Sequence, residues 1–153
     1  MLPVGLFILA LLAGGAGSQG DVHFPPDTVA PAPRSSRFLG TWEGQFQGEI
    51  CITVKLIESS GKIRGTVERN HVRRDRDGEI VQIEEQKSEG RVMDARPDRD
   101  LLRFGVKDNG SGIVERFEMM WKGNASAELM ELSSGVHGNP LVKPWKLAKV
   151  SAE

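Results

Sequence analysis

From Phe38 onward, apolar and polar positions alternate along the chain with a period of two. Ile50, Ile52, Val54 and Leu56 alternate with Cys51, Thr53, Lys55 and Ile57. Ser59-Ser60-Gly61-Lys62 interrupts the run, and Ile63, Gly65 and Val67 then alternate with Arg64, Thr66 and Glu68. Successive side chains of a strand point to opposite faces, so two such runs around a Gly-bearing turn predict a β-hairpin. A second hairpin is equally legible. Leu102, Phe104 and Val106 precede a turn at Asp108 to Gly112, and Phe117, Met119 and Trp121 alternate with Arg116, Glu118 and Lys122 after it. Gly123-Asn124 opens a third turn before Ala127 to Leu132, and Pro144 to Val150 predicts a closing strand. Glu79 to Arg96 is charged and less regular, and reads as strand by continuity. No window places apolar residues at helical spacing over several turns, so the chain is expected to be all-β.

Consecutive strands joined by tight turns pair with their neighbours. An open meander would leave long exposed edges, and closure removes them. The expectation is therefore an antiparallel meander closed into a small barrel of about eight to nine strands, with a β-sandwich as the alternative. On the barrel reading Trp42, Phe46, Phe104, Phe117, Met119 and Trp121 face inward. They form either the lining for a small apolar ligand or a filled core.

Composition narrows the classes. The 153 residues carry 20 basic and 21 acidic side chains, a formal charge of -1. That balance provides no electrostatic footprint for nucleic acid or for an anionic membrane surface. A single cysteine excludes a disulfide framework and a Cys-rich zinc site. Met1 to Gly20 holds no charged side chain, and the apolar stretch Leu2 to Ala13 runs into Gly14-Gly15-Ala16-Gly17-Ser18. Apolar then small is the order of a secretory signal, which assigns residues 1–18 to a signal peptide and the protein to a secreted or periplasmic location. A spanning helix needs about 20 apolar residues, so no integral membrane span is expected after cleavage. Pro25, Pro26, Pro31 and Pro33 mark residues 19–36 as a Pro-rich leader, and the barrel domain is expected over residues 37–150.

The domain opens Phe38-Leu39-Gly40-Thr41-Trp42-Glu43-Gly44. The Gly-x-Trp at the start of the first strand resembles the calycin superfamily, the lipocalins and fatty-acid-binding proteins. The resemblance implies a Trp ring plugging the closed end of a small barrel, a Gly that lets the entering chain pass close beneath it, and a basic side chain from a late strand over the ring. Lys146 and Lys149 are the candidates for that cation, a contact worth about 0.5–2 kcal/mol. The chain also resembles small secreted bacterial β-domains that open Gly-x-Trp-x-Gly, which implies a compartment and a barrel and no activity. Gly40 to Gly48 is similar to the opening of nitrobindin-type haem barrels as well. Those carry an axial His near the C-terminus, where this chain has Trp145, so no haem or other cofactor is expected.

Candidate chemistry is sparse. Asp75-Arg76-Asp77-Gly78-Glu79-Ile80, with Glu84, follows most of an EF-hand loop, but Arg73 occupies the first ligand position. A hairpin turn on Asp77-Gly78 accounts for the same residues. Arg69, Arg73, Arg74 and Arg76 interleave with Asp75, Asp77 and Glu79 and read as a solvated loop. His71 and His137 lack metal-ligand spacing. Asn109-Gly110-Ser111 and Asn124-Ala125-Ser126 match the glycosylation pattern and fall in predicted turns. No nucleophile elbow, phosphate loop or zinc-protease motif is present, so the expectation is a non-catalytic domain that binds a small apolar ligand. A cell-envelope structural or protein-interaction domain is the alternative, and an enzyme comes third.

Overall fold

A computed structural model describes residues 34–132 and 142–151. The residues expected to form the signal, most of those expected to form the leader, and His137 lie outside the described residues. Eight antiparallel strands follow a short 3-10 turn, Arg34–Phe38, which includes the last residues assigned to the leader. They are β1 (Gly40–Phe46), β2 (Glu49–Ser59), β3 (Lys62–Arg74), β4 (Ile80–Asp98), β5 (Leu101–Asp108), β6 (Val114–Gly123), β7 (Ser126–Leu132) and β8 (Trp145–Ser151). Each pairs with the next, and β8 pairs back onto β1, closing the barrel. The all-β meander read from the alternation is thus the architecture, and the irregular charged stretch is β4, the longest strand.

Turn chemistry sets the register. Phe46 pairs with Glu49, Ser59 with Lys62, and Gly123 with Ser126, so two residues bridge each hairpin. The bridging pairs Gln47-Gly48, Ser60-Gly61 and Asn124-Ala125 all have positive φ. Positive φ at both central residues is the type I′ turn, whose twist matches that of the flanking strands.

The inward faces form one apolar core that includes Trp42, Val54, Leu56, Phe104, Phe117 and Met119. At its closed end the Trp42 indole is fully buried and donates its N–H to the Phe38 carbonyl at 2.8 Å. Lys149, from β8, lies 5.3 Å from the Trp42 ring centroid and donates to the Arg37 carbonyl at 3.3 Å. Arg37 in turn lies 4.6 Å from the Trp121 ring and pairs with Asp100 in the β4–β5 turn.

One bulge moves Ile50 off the face that strict alternation assigns it and decides for the buried reading of Cys51. Strict alternation puts Ile50 on the same face as Ile52, and Cys51 on the other. Gly44 pairs with Ile52 but Gln45 pairs with Ile50, leaving Cys51 as the extra residue. Such a bulge bends the strand and resets its parity. Cys51 and Ile52 are consequently both buried, and Ile50 is 49% exposed.

Candidate functional site at the mouth of the barrel

The inward rows change character toward the end opposite Trp42. On β3 the row Ile63, Gly65, Val67 continues to Arg69; on β6 Phe117 is preceded by Glu115; on β7 Leu129 is followed by Glu131. These three side chains meet. Arg69 Nη1 donates to Glu131 Oε2 at 2.7 Å, Nη2 donates to Glu115 Oε2, and Nε donates to Ser88 Oγ at 3.4 Å. The guanidinium also lies 5.5 Å from the Phe117 ring centroid, so the ion cluster rests directly on the apolar core. Burial works against the charge of Arg69, but Glu131 and Glu115 outweigh it and hold the group above its ordinary range.

Arg74 reaches the same place by a change of parity. The β3–β4 register shifts between Asn70 and Val72, and again between Arg73 and Arg74. The inward row therefore moves from odd to even numbers, and Val72 and Arg74 are partly buried where Arg73 is exposed. The Arg74 guanidinium sits 5.0 Å from the Trp145 ring centroid and donates to the Gly78 carbonyl at 2.7 Å. Burial draws it below the ordinary guanidinium range, outweighing Glu131 and Glu79. Beside it Lys143 pairs with Glu79, whose hydrogen bond and charge hold the ammonium above its usual range.

Three hollows surround these groups. One of about 370 Å³ is lined by Arg69, Arg74, Glu115, Glu131, Val72 and Trp145, among others. A second of about 450 Å³ shares Arg69, His71 and Glu115 and extends to the β5–β6 turn at Asp108 to Ser111. A third of about 180 Å³ lies on the far side of Arg74 and Trp145, against Phe46 and Lys143. The first two have the size of small-molecule sites.

Five of the six aromatic and sulfur residues named from the sequence do not line these three hollows. Trp42, Phe104, Phe117 and Met119 are core residues with exposures of 4% or less, and Trp121 packs partly buried against them. Phe104 and Phe117 stack at 5.8 Å and border a hollow of about 590 Å³ beside Arg103 and Glu118. Phe46 alone of the six borders a hollow at the mouth. Reading Arg69, Arg73, Arg74 and Arg76 together as a solvated loop holds for Arg76 and is corrected for the other three, which lie in β3: Arg73 is exposed there, and Arg69 and Arg74 are partly buried. The signal that locates Arg69, Glu115 and Glu131 is present in the sequence: each lies two residues beyond a buried apolar position. For Arg74 no such signal exists, because the register shift is not written in the alternation.

The remaining sequence candidates resolve locally. The Asp75 carboxylate accepts the backbone N–H groups of Asp77 at 2.9 Å and Glu79 at 3.0 Å, and Gly78 takes positive φ in the loop. Asp75, Asp77 and Glu84 form no metal-holding group among the described residues. Cys51 donates to the Gly44 carbonyl at 3.2 Å, and burial pushes its thiol up, away from the nucleophilic thiolate. Compared with protein-family models, curated protein sequences and solved structures, the chain finds no match in any of the three.

Proposed function

We propose that this chain is an exported, non-catalytic binding protein of the calycin-like kind, holding a small molecule at the barrel mouth. The observation that carries the reading is the 370 Å³ hollow floored by the Arg69–Glu115–Glu131 cluster and walled by Val72 and Trp145. A concave site with apolar walls and a few converging polar groups is the usual form of a ligand pocket. Arg69 rests on the core residue Phe117, and such packed support is what a preorganised site requires. The calycin-like kind is supported by the Gly40-x-Trp42 entry with Lys149 over the indole, and export by the apolar-then-small order of residues 1–18. The non-catalytic reading is supported by the chemistry of the mouth, where each carboxylate bonds Arg69 through one oxygen and the thiol of Cys51 is turned to a carbonyl. An apolar ligand would have to use the Val72 and Trp145 wall, since the barrel centre is occupied by side chains.

The test is native mass spectrometry of the mature protein purified without denaturant, with its solvent extract analysed alongside. A stoichiometric small-molecule adduct that is lost on Trp145→Ala supports the proposal. A protein carrying nothing, whose thermal midpoint is unmoved by a broad metabolite library, overturns it. A second reading, a protein-interaction domain, draws on the outer face of β6 and β7, where Met120 and Met130 are 44% and 40% exposed. Capture of a defined envelope partner that is abolished by Met120→Lys with Met130→Lys, and retained by Trp145→Ala, would favour it.

A further inference from the structure

Charge accounting at the mouth points to the ligand's class, an inference that rests on the mouth being the binding site. Glu115 and Glu131 share one cation, Arg69, so this cluster carries a net single negative charge. In each carboxylate the second oxygen, Oε1, has no hydrogen-bond partner among the described residues. Arg74 lacks a direct partner, since Glu131 and Glu79 act on its charge from beyond ion-pair distance. Its one hydrogen bond goes to the neutral Gly78 carbonyl, and no carboxylate lies within ion-pair distance among the described residues. Arg37 and Arg69, the other arginines drawn partly out of solvent with an ion pair, each have a carboxylate. Arg74 lies over the Trp145 ring at 5.0 Å from its centroid, and its one hydrogen bond leaves most of its N–H fork unused.

A partly buried cation with no carboxylate in direct contact can take an anion on its free N–H groups. A planar guanidinium completes best with a carboxylate, through two parallel charge-assisted bonds. The free Oε1 oxygens of Glu115 and Glu131, which line the same hollow, can accept from a donor carrying positive charge. Both sets of groups fall in the 370 Å³ hollow, where Val72 and Trp145 offer apolar surface. We propose that this hollow takes a small zwitterion of the α-amino-acid class with an apolar side chain, its carboxylate on Arg74 and its ammonium between Glu115 and Glu131. Such a ligand matches the free N–H groups of Arg74 and the free carboxylate oxygens together, and brings no net charge. A simple acid leaves the carboxylate pair unsatisfied, and a simple amine leaves Arg74 so.

The experiment is calorimetry and thermal shift on the full chain, with L-phenylalanine and L-leucine as the zwitterionic probes. Phenethylamine and 3-phenylpropanoate are the singly charged counterparts of the first. At least one zwitterion should bind about tenfold or more tightly than its counterparts, the loss expected when a charged hydrogen-bonding group goes unmatched. Arg74→Gln should weaken it by a similar factor and Arg74→Lys should restore part of the loss, with far-UV circular dichroism unchanged in both. Equal binding of phenylalanine and its counterparts, or wild-type affinity in folded Arg74→Gln, overturns the inference. A native adduct that proves to be neutral or singly charged leaves the mouth as a binding site and removes the zwitterion. Absence of any adduct or response removes both.

Discussion

Gly40 shows how much one position decides. Its φ is +112°, and a Cβ there would lie 2.2 Å from the Ser151 carbonyl oxygen on the facing strand β8. Any side chain must therefore push apart the β1–β8 seam, which is held by only a short register. Gly40→Ala is expected to cost about 1–3 kcal/mol, read as a lower denaturant midpoint. Gly48→Ala is the matched control: its φ is also positive, but no atom lies within 4 Å of the added Cβ. It should lose only the smaller conformational part, and equal losses in the two variants would remove the close-approach argument. The motif Gly40-x-Trp42 is legible as a barrel entry, and Lys149 over the indole is one of the two cations that the sequence offers for it. Which of Lys146 and Lys149 reaches the ring follows from their faces, since Lys146 is exposed and Lys149 sits beside Trp42 in the β1–β8 register.

Among the hairpins, the β6–β7 turn departs from the chemistry of its kind. Gln47-Gly48 and Ser60-Gly61 both end in glycine, while Asn124-Ala125 places alanine at φ 57°. The left-handed region costs a residue with a Cβ roughly 1–2 kcal/mol. Ala125→Gly should therefore raise stability by about 1 kcal/mol, seen as a higher thermal midpoint; a fall would mean that the backbone is not strained there. The β5–β6 turn is built differently, around a carboxylate. Asp108 accepts the Ser111 backbone N–H, the Ser111 hydroxyl at 2.8 Å and the Gly110 N–H at 3.0 Å, with the Ser111 backbone bond the largest cause of its lowered pKa. A carboxyl lowered on folding adds stability above the unfolded value, about 3.9 for aspartate, and that contribution is lost as pH falls toward the folded value. The gap in thermal midpoint between wild type and Asp108→Ala should hold constant near neutrality and narrow below about pH 4. A carboxyl-carbon titration with an unshifted Asp108 would refute the assignment.

For the whole barrel, the decisive feature is that charges terminate the core at one end. Arg69, Glu115 and Glu131 come from β3, β6 and β7, and only closure of the sheet brings them together. Arg69→Met keeps an apolar stem on Phe117 but leaves two carboxylates facing each other. The expected loss is roughly 2 kcal/mol near pH 7, between the limits for exposed and for fully buried pairs. It should shrink as pH falls, because protonation relieves the repulsion that the substitution creates. The triple variant with Glu115→Gln and Glu131→Gln should recover much of the stability at neutral pH. A loss in Arg69→Met that is independent of pH would show that packing, and not charge, is what Arg69 supplies.

Alternation, turn residues and the Gly-x-Trp entry are short-range properties, and they carried the strand content, most hairpins and the closed end. Period two is a statement about a single strand, so it holds only while the register is unbroken. At Cys51 and again at Val72 a shift reverses the parity, and from those points the partner strand decides which side chain turns inward. The same dependence explains why Trp42, Phe104, Phe117 and Met119 were rightly placed inside while filled and hollow interiors could not be told apart: volume is a sum over all eight strands. A charged floor beside Trp145 depends on three strands meeting across the barrel axis. No local pattern encodes that meeting, because the energy that selects it comes from burying one shared core.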